Sequence, residues 1–278
     1  MESRIAEAVG LKYQPVAVIF ADEKPEKAKE IKPGRFGCVM FLLSAAAKGM
    51  ASAASRETYG CPGGGVGLAF GNRYQDFPGG EEAFHYFLSA GTESWEEGRQ
   101  ITEQVVPHLQ GEFKDNYVSG ERYQKSPELV ADFIECLPIT DIDAKYVVFK
   151  PLSKVDAEQE KPEIIVFLAD ADQLSALHVL ANYNRKGLEN VIFPFAAGCQ
   201  TAVLLPLREA KADNPRAVVG LSDISARISV KRMLKADVLS FAVPLGMFTE
   251  MESEVPGSFL ERPNWQHLME MKSESKSK

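Results

Sequence analysis

The sequence predicts an α/β or α+β fold, a mixed β-sheet flanked by helices. Three observations carry this. Short apolar runs of strand length alternate with stretches of helical period, as in folds that layer helices on a sheet. Two of the runs, Val16 to Phe20 and Ile164 to Leu168, are apolar at every position, as strands covered on both faces are. The composition, 45% hydrophobic and 25% charged over 278 residues, is that of a globular chain able to bury a large core.

Residues 2–10 read as a short helix, and Val16 to Phe20 as a central strand. Val39 to Lys48 is an apolar helix closed by Gly49 at a C-cap position. Met50 to Glu57, rich in small residues, reads as a strand that leads to Tyr59 and the glycine-rich stretch after it. Glu81 to Leu88 and Trp95 to Leu109 have helical patterns, and Asn116 to Gly120 reads as a short strand. Ser126 and Pro127 open a helix that ends before Pro138; Cys136 borders its apolar stripe and reads as core.

Lys145 to Lys150 and Glu163 to Leu168 are strands, followed by an amphipathic helix from Ala171 to Asn184. Asn190 to Phe195 leads to Gly198-Cys199, then a helix from Ala202 to Glu209 compromised by Pro206. Arg216 to Gly220 is a strand, Leu221 to Arg227 a polar turn, and Val238 to Val243 a last strand. Residues 1–250 read as a single α/β domain with a weak sub-boundary near 110–126. Residues 251–278 form a C-terminal segment whose Lys/Ser/Glu-rich end, from Met271, is expected to be disordered.

A net charge of −8 argues against a general nucleic-acid binder, which needs a cationic footprint. No apolar run approaches the roughly 20 residues that cross a bilayer. The N-terminus has neither a basic start nor an apolar signal core, so the chain reads as cytoplasmic. In a reducing compartment four cysteines in 278 residues are buried thiols, metal ligands or nucleophiles.

Three cysteines share a local grammar: Gly37-Cys38, Gly60-Cys61 and Gly198-Cys199. Cys61 opens Cys61-Pro62-Gly63-Gly64-Gly65-Val66-Gly67, read as a loop whose N–H groups approach a ligand, because glycine loses the most backbone freedom on ordering. Cys38, Cys61 and Cys199 are candidate ligands of a soft metal centre, with a 4Fe-4S cluster the leading expectation and a fourth iron left open to a small molecule. Gly63, Gly64, Gly65, Arg56, Arg73, Asn184, Asp223 and Arg227 are the candidate ligand-binding residues around it. The spacing matches no compact ferredoxin or zinc-finger pattern. Two alternatives stand beside it. One is a metal-free module binding a small anion or a partner, with buried cysteines. The other is a cysteine nucleophile, for which none of His85, His108, His178 and His267 is marked as a base.

A degenerate internal duplication is a further expectation. Cys38 precedes Cys61 by nearly the same interval as Cys199 precedes Asp223, with an apolar helix and a strand in each interval. A pseudo-twofold would then place Cys38 and Cys199 equivalently around one centre.

Several motifs, in this order, resemble an uncharacterised prokaryotic family, domain of unknown function 169. They are Pro15-Val16-Ala17-Val18, Arg35-Phe36-Gly37-Cys38, Cys61-Pro62-Gly63-Gly64, the Leu174 to Arg185 helix with Tyr183-Asn184, Gly198-Cys199, and Leu239-Ser240-Phe241-Ala242-Val243-Pro244. The resemblance spans roughly residues 8–250. It implies that Cys38, Cys61 and Cys199 stand at the family's usual cysteine positions and that Cys136 does not. It implies no activity. A small-molecule ligand or a redox partner is expected, with no nucleic acid and no membrane.

Overall fold

The structure, a computed structural model, describes residues 1–235 and 237–275. It divides into two compact units: residues 1–68 with 142–278, and an inserted unit, Ala69–Asp141. Residues 110–126, expected as the weak point, lie inside the second unit.

The first unit is built on a seven-stranded mixed sheet. Its strands are β1 (Val16–Ala21), β2 (Ser52–Ser55), β3 (Tyr146–Pro151), β4 (Ile164–Ala169), β5 (Val191–Ile192), β6 (Ala217–Gly220) and β7 (Leu239–Pro244), in the order β2-β3-β1-β4-β7-β6-β5. Every neighbouring pair is antiparallel except β5 and β6. The fold class expected from the alternation is therefore the one observed.

Outward from the central pair β1 and β4, the order is β1, β3, β2 on one side and β4, β7, β6 on the other. The connections share the order helix, outer strand, short helix, with α8 (Ala171–Asn182) and β5 before it in one and residues 69–141 after it in the other. From β1 the chain passes through α2 (Val39–Ala47), β2 and α3 (Pro62–Gly67) before returning to β3. From β4, after α8 and β5, it passes through a helix over 200–209, then β6 and α10 (Ile224–Val230), before returning to β7. In space α3 packs on the 200–204 turn, as α10 packs on α2.

Alternation along the strands separates two layers. Ala17, Ile19, Ile165, Phe167, Ala217, Val219, Phe241 and Val243 face one core with Leu177 and Leu180 of α8 and Met247 and Phe248 of α11 (Leu245–Ser253). The intervening residues face the layer of α2 and the 200–209 helix, where Val218 packs with Leu205. Gly220 lies so close to that helix that a Cβ would sit 1.9 Å from the Thr201 hydroxyl.

Several expectations are corrected. The glycine-rich stretch is not a loop: Pro62–Gly67 is a helix with Pro62 in its first turn. Its glycines serve close approach. A Cβ on Gly64 would lie 2.4 Å from the Tyr59 carbonyl, and one on Gly67 2.4 Å from the Cys199 sulfur. The helix expected from Ala202 starts earlier, with π-helical turns over Gln200–Leu204 followed by α9 (Leu205–Glu209). Pro206 has no N–H to return to the preceding turn, and a wider turn there accommodates the loss. The polar turn after β6 contains α10, capped by Asp223.

The C-terminal residues expected to be disordered from Met271 continue α12 (Pro263–Ser275) as far as Ser275; the remainder of that expectation lies outside the described residues. Trp265 anchors this helix by donating from Nε1 to the Ala8 carbonyl (3.0 Å) in α1 (Arg4–Ala8). Lys272 Nζ donates to Asp170 (2.6 Å), the residue that caps α8.

The second unit holds α4 (Gly80–Leu88), α5 (Arg99–Val105), α6 (Gly111–Ser119) and α7 (Pro127–Glu135). Its two ends meet where Phe70 bridges Asp141. Asn116 to Gly120 is not a strand but the end of α6. Phe113 and Tyr117, one helical turn apart, join the ring cluster of Phe77 and Phe87, which favours helix there. The pattern from Trp95 to Leu109 is helical only over α5 and a 3-10 turn at Val106–His108. Cys136 is exposed rather than core. Val130 and Ile134 form the buried stripe of α7, and Cys136, at the C-cap, falls off it.

Candidate metal centre

Local rules place each candidate group at the start of a helix. Cys38 is the N-cap of α2, in an extended conformation (φ −84°, ψ 133°). Cys61 is the N-cap of α3 (φ −150°, ψ 158°), and Cys199 directly precedes the Gln200–Leu204 turns. Asp223 is the N-cap of α10, where one carboxylate oxygen accepts from the Ala226 N–H (2.7 Å).

These four starts are tied together by hydrogen bonds. The other Asp223 oxygen accepts from the N–H of Gly198 (2.5 Å), beside Cys199. The Cys199 thiol donates to the Gly63 carbonyl (3.3 Å), in the first turn after Cys61. The N–H of Gly37, beside Cys38, donates to the Gly60 carbonyl (3.1 Å), beside Cys61. Gly60 has φ +83°, and a Cβ there would meet the Gly37 carbonyl at 2.4 Å, so conformation and space both demand glycine. Around the sulfurs, N–H groups of Gly63 and Gly64 face Cys61, while the Met40 N–H and the Ser229 hydroxyl face Cys38.

Electrostatics show the same convergence. Burial, and then the neighbouring Cys61, push the Cys38 thiol up to about 12. Burial raises Cys61, opposed by the Gly64 and Gly63 N–H groups and reinforced by Asp223. Burial raises Cys199 well above the usual thiol range, and Cys61, Cys38 and Asp223 add to the effect. Asp223 is itself raised by burial, opposed by the N–H groups of Ala226 and Gly198 and by the Arg227 charge. Every pair among the four groups is thus close enough for one charge to be felt by the other. Cys199 is buried, while Cys38 and Cys61 keep partial exposure.

Each of the four groups disfavours negative charge on the others. Among the described residues, no three His, Cys, Asp or Glu side chains are set to hold a metal ion as they stand. A single ion about 2.3 Å from each sulfur requires donors within about 4.6 Å of one another. A polynuclear cluster, with one thiolate on each of several irons, tolerates wider spacing.

The other candidates divide. Gly63 and Gly64 belong to the site through the contacts above, and Gly65 donates to the Cys61 carbonyl (3.3 Å). Arg227 stands behind Asp223 and donates to the carbonyls of Leu221 (3.2 Å) and Val238 (2.9 Å). Arg56 donates to the Ile142 carbonyl (2.6 Å). Asn184 is in the opposite layer, at the end of α8, and donates to Glu254 (3.0 Å). Arg73 belongs to the second unit, where it pairs with Glu81 (3.1 Å) and Glu135. Met40, whose thioether lies against Gly198, and Gly67 were not legible as site residues, because what they touch is distant in sequence.

The model of the family DUF169, described as uncharacterised ArCR, matches residues 4–254. The chain belongs to this family. No curated protein and no solved structure matches it. The DUF169 match covers all three clustered cysteines and Asp223. No helix among the described residues is long and apolar enough to cross a membrane.

Proposed function

We propose that this DUF169 protein holds a 4Fe-4S cluster through Cys38, Cys61 and Cys199, and uses it near the surface for electron transfer or sensing. The convergence of three thiols from three separate helix starts carries this reading. Burial without a compensating cation keeps each thiol protonated, which disfavours a free cysteine nucleophile, since the thiolate is the reactive form. Bound iron reverses that balance, because ligation deprotonates a thiol outright. The N–H groups facing Cys61 suit a cluster ligand, since hydrogen bonds to sulfur tune cluster potentials.

One observation favours a cluster near the surface: Cys38 and Cys61 are partly exposed. Phe36 and Ile224, neighbours in sequence of Cys38 and Asp223, are 75% and 56% exposed and offer apolar contact to a redox partner. A cytoplasmic setting, where thiols stay reduced, is part of this reading.

Anaerobic purification or reconstitution, followed by iron and sulfide analysis and a visible spectrum, tests it. Wild-type protein is expected to be brown, with iron and sulfide in equal amounts, and Cys61→Ser to lose most of both. A colourless wild-type protein without iron or sulfide after reconstitution would favour the metal-free anion- or partner-binding module.

A further inference from the structure

We infer that Asp223 is the fourth protein ligand of the centre, standing where a second copy of the Cys61 turn would present its cysteine. This rests on the cluster reading above and replaces an open iron with one held by a carboxylate. The matching strand order pairs β1 with β4, β3 with β7 and β2 with β6. Under that pairing α2 corresponds to the 200–209 helix and α3 to α10. Cys38 then corresponds to Cys199, since each sits at the start of the helix that leads to its half's outer strand, β2 or β6. Cys61 corresponds to Asp223, since each is the N-cap of the short helix that follows that strand.

The contacts agree with this pairing. Asp223 accepts from the N–H of Gly198, beside Cys199, and the Cys199 thiol donates to the Gly63 carbonyl in the first turn after Cys61. The two Asp223 oxygens accept from Ala226 and Gly198, and an ionised carboxylate has about four lone-pair sites, so each oxygen keeps acceptor capacity for a metal. Arg227, which donates to the carbonyls on either side of the α10 turn, balances its charge from behind. Oxygen is a harder donor than thiolate and binds iron of a cluster less firmly. The iron on Asp223 is therefore the exchangeable one, and the position at which a small anionic oxygen or sulfur donor would displace a protein ligand.

The alternative is that Asp223 only caps α10. Asn caps as well as Asp, so Asp223→Asn keeps the α10 cap and removes the anionic ligand, but its amide nitrogen cannot accept from the Gly198 N–H, a bond that Asp223→Cys loses as well. Asp223→Cys supplies a thiolate in its place. The three proteins are compared after anaerobic reconstitution, by midpoint potential and by titration with ferricyanide. Ferricyanide takes one electron from the oxidised-resting cluster, which then releases one Fe²⁺ and leaves a three-iron cluster, read by electron paramagnetic resonance. Wild type is expected to give the three-iron signal. Asp223→Asn should lose that iron at least about tenfold faster, in line with the usual cost of disturbing a metal's ligand shell. Asp223→Cys should resist the conversion and shift the potential.

Wild-type potential and iron-loss rate in Asp223→Asn would overturn the assignment while leaving the three-cysteine cluster standing. Should Asp223→Cys not fold, an added small thiol decides on the Asn variant: slower iron loss with the thiol supports a vacated ligand position, and no change overturns it. A wild-type protein that takes up no cluster overturns the cluster reading, and this inference with it.

Discussion

Replacing Gly67 by alanine will destabilise the protein by about 2 kcal/mol, although alanine is the better helix former. The two effects oppose one another. Within α3 the substitution gains about 1 kcal/mol of helix propensity. The new Cβ, however, would lie 2.4 Å from the Cys199 sulfur, 2.8 Å from its Cβ and 3.0 Å from its carbonyl carbon. The sulfur can rotate away, but the backbone carbon cannot, and overpacking of this kind costs about 3 kcal/mol. The net loss will lower the melting temperature by about 5 °C in a chain of this size.

Gly246→Ala is the control, since Gly246 is exposed in α11 with nothing near its missing Cβ. It should stabilise by about 1 kcal/mol. Equal effects of the two substitutions would contradict the close packing of α3 on the Cys199 turn. Because the displaced atoms belong to Cys199, Gly67→Ala should also lower iron retention, which a merely structural glycine elsewhere would not do.

Metal uptake will depend steeply on pH. The Cys38 thiol is pushed up to about 12, and Cys61 and Cys199 are raised in the same direction by burial. All three therefore hold their protons at neutral pH in the metal-free protein, and each must release one on ligation. Where all three are protonated, apparent affinity rises about 1,000-fold per pH unit. The metal-free protein behaves oppositely. Above the ordinary thiol value of 9.0 the unfolded chain loses protons that the folded state keeps, so stability falls as pH rises from 9.0 towards 12. Proton release on anaerobic cluster assembly, measured by calorimetry in buffers of differing ionisation enthalpy, should exceed by about three per centre what the four incorporated hydrosulfides release. An excess near zero would mean that the thiols are not the ligands.

The fold was legible where pattern and burial agree. Val16 to Phe20 and Ile164 to Leu168 are apolar throughout because β1 and β4 sit at the centre of the sheet with helices on both sides. Ser126-Pro127 marked the start of α7 within a residue. Failures came where a distant contact overrode local preference. The glycines after Cys61 resemble a loop on propensity alone. The helix they form packs so closely on Tyr59 and Cys199 that no Cβ fits at Gly64 or Gly67. Asn116 to Gly120 was misread because its helical partners, the rings of Phe77 and Phe87, lie outside any local window.

The site followed the same division. The shared Gly-Cys grammar marks Cys38, Cys61 and Cys199, and hydrogen bonds link the segments on which they stand. Asp223 is read from the sequence as a ligand-binding residue and as the counterpart of Cys61, but its bond to Gly198 is not legible there, because the 200–209 helix and β6 separate the two. Arg73 and Asn184 had suitable chemistry, yet Arg73 pairs with acids of its own unit and Asn184 ends a helix of the opposite layer. Residue type alone does not report which face of a sheet a helix covers.

X-ray absorption at the iron edge of the anaerobically reconstituted wild-type protein tests the cluster most directly. The account predicts a first shell dominated by sulfur at about 2.3 Å, the usual metal–thiolate distance, with an iron–iron shell beyond it. A first shell of oxygen and nitrogen alone, or iron that washes away from the protein, would contradict it.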